Sequence, residues 1–177
     1  MVEHKEKADL GSQVFCGVIT GGVLGYFYYR YAFHNPDLEG NGNQECFSQG
    51  NDVTARFIIF FTYSFWLMVA YAGNSVLSLL GHILGFKWLR SLCNGINGII
   101  QICSLAVLII GAVWRFSETG MYCSGKYLEV PGEFYMTKSG HFMGIVIGVQ
   151  LALMMLSCVI MCCVMMFGKK HHDEHHD

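Results

Sequence analysis

The sequence predicts an all-α integral membrane protein: a four-helix bundle with both termini on one side of the bilayer and two loops on the other. Three observations carry this. Of 177 residues, 53% are apolar and only 14% charged, against about a quarter charged in an ordinary soluble domain. The mean hydropathy is positive. The apolar residues gather in long blocks, and a bilayer core calls for about 20 of them per helix.

Four segments meet that requirement, at roughly residues 12–30, 57–80, 92–114 and 142–167. The first is glycine-rich and ends in YFYYRYAF. The second contains FIIFFTYSFWLMVAYA, the third SLAVLIIGAVW, and the fourth GIVIGVQLALMMLSCVIMCCVMMF. A cleaved signal peptide is the alternative for the first segment. Glu3, Glu6 and Asp9 ahead of it, and no clean small-x-small site after it, favour a retained helix. What remains is tails and loops, so residues 1–177 read as one four-helix domain, with a His/Asp-rich polar tail at 171–177.

Lys5, Lys7, Lys87, Arg90, Lys169 and Lys170 lie on the side of the termini, and Arg30, Arg56, Arg115, Lys126 and Lys138 on the other. The excess is slight, and it favours cytoplasmic termini. Cysteine placement points the same way. Cys46 and Cys123 sit one in each loop on the opposite side, while the other six lie within or at the ends of helices. One cysteine in each of two facing loops suits a disulfide, which persists in oxidising compartments; two free thiols are the alternative. The loops are therefore expected to be lumenal or extracellular, in the plasma membrane or the secretory and endomembrane system. A closure of roughly 75 residues corresponds to about 4 kcal/mol of chain entropy. The first loop is rich in turn steps, and the second is predicted to form a small hairpin about Pro131-Gly132.

Two glycine series stand out: Gly17, Gly21 and Gly25 in the first helix, and Gly140, Gly144 and Gly148 in the fourth. Spacing of four keeps each set on one helix face, and close approach is what drives helix association in lipid. Both series are read as packing surfaces, against another helix, a second copy or a lipid. In the third helix Asn94, Asn97, Gln101 and Ser104 share one face. Uncovered amides are costly in lipid, so this stripe must face the bundle interior, a neighbouring subunit or water. An interhelical hydrogen-bond network is the simpler reading, and a permeation path the alternative.

Arg30, Arg56, Arg115 and Lys138 are expected to reach the headgroups. Tyr26, Phe27, Tyr28, Tyr29, Tyr31 and Trp114 would form an interfacial belt. Cys16, Cys93, Cys162 and Cys163 cluster toward the side of the termini and are candidates for S-palmitoylation, or are small buried hydrophobes.

Motifs for enzymatic chemistry are missing. His82 and His141 lie near opposite membrane ends and cannot share a haem iron. There is no Cys-x-x-Cys pair, zinc-protease helix, phosphate loop or catalytic-triad spacing. No Asp, Glu, Lys or Arg lies deep in any span, whereas ion-coupled transport leaves such a mark. The tail KKHHDEHHD reads as a solvated terminus, weak metal binding being its alternative. No catalytic residue, metal site or cofactor is predicted, and nucleic acid is not an expected partner.

Four spans, cytoplasmic termini and two cysteine-bearing loops resemble the tetraspan class, and within it the MARVEL-like proteins of vesicles and junctions (synaptophysin and its relatives). VWRFSETGMYCSGKY, with Trp114, Arg115, Cys123 and Gly125 at a membrane exit, looks like a family signature. The first-loop tryptophan motif of claudins and the Cys-Cys-Gly second loop of classical tetraspanins are absent. The resemblance implies a non-enzymatic, structural or scaffolding role in membrane organisation, trafficking or assembly of a larger membrane complex. The glycine faces suggest self-association as a homo-oligomer. A channel or transporter subunit using the third helix's polar face is the alternative.

Overall fold

The computed structural model describes residues 2–39, 45–125 and 135–173. Four long helices dominate: α1 (Val2–Phe33), α2 (Val53–Ile83), α3 (Lys87–Phe116) and α5 (Thr137–Asp173), with a short α4 (Glu118–Cys123) between the last two. Among the described residues, α2, α3 and the stretch Thr137–Ile160 of α5 are long and apolar enough to cross a membrane. This is the constitution of a membrane protein.

Each helix runs past its expected apolar stretch. At 1.5 Å per residue, 31 residues in α2 measure about 46 Å, against about 30 Å of hydrocarbon. Hydropathy marks only the buried length, whereas a helix satisfies its own backbone and continues into the headgroup layer. The chain is also not wholly α. Phe47–Ser48 (β1) and Asn51–Asp52 (β2) pair antiparallel. Their turn places Gln49 and Gly50 at φ 53° and 74°, as a tight two-residue hairpin requires. The expected hairpin about Pro131-Gly132 and the end of the polar tail, 174–177, lie outside the described residues.

Local signals stop and start the helices. Asp52 caps α2, its Oδ1 accepting from Ala55 N at 2.9 Å. The α2–α3 turn uses Gly85 at φ +73°, and Phe86 N returns to Gly81 O at 2.9 Å, a glycine helix end. Ser117 starts α4, accepting from Gly120 N at 3.2 Å.

The helices pack in series, α1 on α2, α2 on α3, and α3 more sparsely on α5. The α1–α2 pair is antiparallel: Gly17 lies against Ser75, Gly21 against Ala72 and Gly25 against Met68. α5 touches α1 chiefly at the loop end, where Phe142 stacks on Tyr31 with ring centroids 4.4 Å apart. Beyond Gln150, every residue from Leu151 to Ile160 is exposed. Among the described side chains the arrangement differs from an evenly closed bundle: it is closed at the loop end, and α5 is exposed along Leu151–Ile160. The buried core sits at the closed end, built from Tyr28, Phe57, Phe61, Cys123, Met143 and Ile147 with their neighbours.

The aromatic belt splits for a geometric reason. Consecutive helical residues point about 100° apart, so YFYY cannot all face lipid. Tyr26, Phe27 and Tyr29 are exposed, while Tyr28 is buried and Tyr31 packs on the core.

At Gly111, α2, α3 and α5 meet: a Cβ there would collide with the Phe60 ring and meet Met143 at 3.2 Å. Gly111→Val is expected to destabilise by about 1–3 kcal/mol through overpacking. Gly22→Ala, with open space around its Cβ, should stay within about 0.5 kcal/mol. Thermal unfolding of both variants in the same detergent checks this; equal midpoints would show that the three helices do not meet at Gly111.

Candidate functional site

The closed end is tied by two links between distant loops. The first is polar. Asn35 sits at the end of α1, before Pro36. Its Oδ1 accepts from Asp37 N at 3.0 Å and from Ser139 Oγ at 2.9 Å, and its Nδ2 donates to Tyr31 O at 3.1 Å. This turn presents the Asp37 carboxylate to the start of α5. Oδ1 accepts from Lys138 N at 3.2 Å and Oδ2 from Ser139 N at 2.7 Å. The first N–H groups of a helix have no partner within it, and a carboxylate also complements the helix dipole. Met136, the residue before α5, has no side-chain oxygen to offer, so the cap comes from Asp37.

The second link is covalent. Cys46 and Cys123 form a disulfide across 77 positions, with Cα atoms 5.9 Å apart. Both are buried, and their backbones are held too. Cys46 N donates to Thr54 Oγ1 at 2.8 Å, and Cys123 O accepts from Met136 N at 2.7 Å. The disulfide thus joins the start of α2 to the approach to α5.

Two expected headgroup-reaching cations bond to backbone carbonyls, Arg115 half-buried and Lys138 exposed. Arg115 Nε donates to Gly140 O at 2.6 Å, and Lys138 Nζ donates to Pro36 O at 3.3 Å. Both answer carbonyls at the loop end, where a charged donor makes a stronger hydrogen bond than a neutral one.

The glycine series are put to different uses. Gly17 and Gly21 are buried against α2, and a Cβ at Gly21 would lie 3.1 Å from that of Ala72. Gly25 is buried near Met68. In the second series Gly140 is pressed onto Ser124, and Gly144 lies near Arg115. Gly148 is exposed, with open space around it. The first and last helices therefore do not pair through their glycines. Beside the α1–α2 seam runs an open apolar groove of about 560 Å³, lined by residues including Gly22, Gly25, Tyr29, Phe65 and Gly73.

The α3 stripe divides. Asn94 and Gln101 are exposed, while Asn97 and Ser104 are half-buried. Asn97 Oδ1 is buried without a hydrogen-bond partner. Asn74 of α2 bridges the helices, its Nδ2 donating to Cys93 O at 3.0 Å. Cys93 itself is buried, which suits a small packed hydrophobe better than an acylation target. The side chains of Cys16, Cys162 and Cys163 lie outside the description.

A polar cluster escapes any reading of one helix at a time. Tyr28 of α1, Ser64 of α2, Ser104 of α3 and Gln150 of α5 line one small cavity. Asp37 lies in the first loop, far in sequence from α5. Its Asn-Pro-Asp context signals a turn, but not the helix that the turn serves. Among the described residues, no group of three or more His, Cys, Asp or Glu could hold a metal ion. Comparison with protein-family models, curated proteins and solved structures finds no match for this chain.

Asp37→Ala should lose about 1–3 kcal/mol, the cost of leaving buried donors unmet, with Asp37→Asn retaining part because an acceptor oxygen remains. Thermal melts in detergent check this, and an unchanged Asp37→Ala midpoint would show that the cap is dispensable. For the disulfide, alkylation of unfolded protein followed by intact mass should count two more thiols after reduction than before. The same count before and after would mean free thiols.

Proposed function

We propose that this chain is a non-enzymatic, four-span protein of the plasma membrane or the secretory and endomembrane system, with cytoplasmic termini. It self-associates and scaffolds or organises a larger membrane assembly. The observation that carries the reading is Gln101. It lies midway along α3, flanked by Ile99, Ile100 and Ile102, and it is exposed in the single chain. Lipid offers an amide no hydrogen bond. An amide both donates and accepts, so Gln101 is complementary to the same residue of a second copy. Exposed Ile102, Leu105 and Ile109 nearby supply apolar area for packing, and Asn94 extends the polar line toward the termini.

Support for a fourth span comes from the α1–α2 seam. Gly17 to Tyr29 runs antiparallel along Ser75 to Phe65 of a membrane-spanning helix, at matching depth. With α3 following α2 through a tight turn, and α5 starting beside the end of α3, the helix directions alternate and favour termini on one side. That topology is shared with MARVEL-like tetraspan proteins, and the structural role is carried over from it. The polar stripe also admits the permeation reading, favoured by the unpartnered Asn97 Oδ1.

One reconstitution separates these. Labelled protein diluted in lipid vesicles and counted by single-molecule photobleaching should form dimers or larger oligomers. Gln101→Leu should weaken association about 3- to 30-fold, the worth of an interhelical amide bond in lipid. A chain that stays monomeric at every dilution would sink the proposal. Solute flux through the same vesicles, stopped by Asn97→Leu and Gln101→Leu, would replace it with the permeation reading.

A further inference from the structure

The cavity lined by Tyr28, Ser64, Ser104 and Gln150 takes one polar side chain from each of the four long helices. Its volume is about 20 Å³, and a cavity of roughly 10–15 Å³ or more admits one water when two to four polar groups surround it. Phe60 and Leu108 supply apolar walls. Tyr28 is 1% exposed and Ser64 6%, so neither reaches bulk solvent. Tyr28, Ser64 and Gln150 line the same space, and Ser104 joins them from α3.

The geometry points to a built binding site for one ordered water at this four-helix node. The donor and acceptor balance favours it. Gln150 brings two N–H donors and a carbonyl oxygen, while each hydroxyl brings one donor and accepting lone pairs. A water donates two hydrogen bonds and accepts others, so one molecule can donate to hydroxyl oxygens and accept from the Gln150 amide. In a low-dielectric interior, an unmet polar group costs more than immobilising one water.

The position gives the water a consequence. Gln150 is the last residue of α5 before the exposed run Leu151–Ile160. Among the described side chains, the node is therefore the last hold of the other helices on α5 before that exposed run, and the water is part of that hold. This inference stands apart from self-association, because it concerns the interior of one chain.

The test uses full-length protein in lipid nanodiscs with glutamine side-chain amides labelled in ¹⁵N. The Gln150 amide, assigned by its loss in Gln150→Met, is expected to show magnetisation transfer from water with the sign of a long-lived bound molecule. Ser104→Val removes one partner and adds bulk to the cavity, so it should abolish that transfer while the backbone spectrum is retained. Absence of transfer at Gln150 in the wild-type chain overturns the proposal whether or not the variant folds. Transfer that persists undiminished in folded Ser104→Val places the water elsewhere and overturns it as well.

Discussion

The hold of the first loop on the start of α5 is the constraint on which the rest of this structure depends. Asp37 accepts two backbone N–H groups from a helix that begins a hundred positions later in the chain, and the Cys46–Cys123 disulfide ties the same two regions covalently. Neither link lies among the lipid-facing surfaces. Helices in a bilayer gain little from burying apolar surface on one another, because lipid is equally apolar. Directional and covalent links at the end of the bundle therefore decide where α5 starts and which of its faces meets α3.

Much of the asymmetry follows from that hold. The buried core, the Arg115 bond to Gly140 O and the ring contacts of Phe142 all lie near the tied end. Tyr31 and Phe142 stack because Asp37 and Ser139 bring the end of α1 to the first turns of α5. Farther along, α5 loses contact with its neighbours and its apolar side chains are exposed. Aliphatic side chains there rest in lipid at no penalty, so nothing draws the helix inward once the polar node at Gln150 has been passed.

Small and polar residues then divide the remaining work. Glycines allow α1 to lie close along α2, and Gly111 lets three helices converge beneath Phe60. Polar groups that find partners inside the chain act as pins, as Asn74 does between α2 and α3. Gln101 has no such place: its neighbours on that face are lipid-exposed isoleucines and leucine. Gln150, half-buried where four helices meet, and Gln101, exposed on one, are therefore in contrasting settings.

The sequence by itself determined that this is a helical membrane protein, because hydropathy over a bilayer's thickness is a property of consecutive residues. It also showed three of the spans, the glycine spacing and the polar line on α3, all of which are periodic along one helix. Only the tertiary structure decided which helix each glycine meets, since a smooth face carries no address for its partner. It likewise decided that Asp37 caps α5, and that Tyr28 turns inward while Tyr29 turns out. Partnerships between residues a hundred positions apart leave no local pattern; they exist only once the loops have been brought together and the chain has closed on itself.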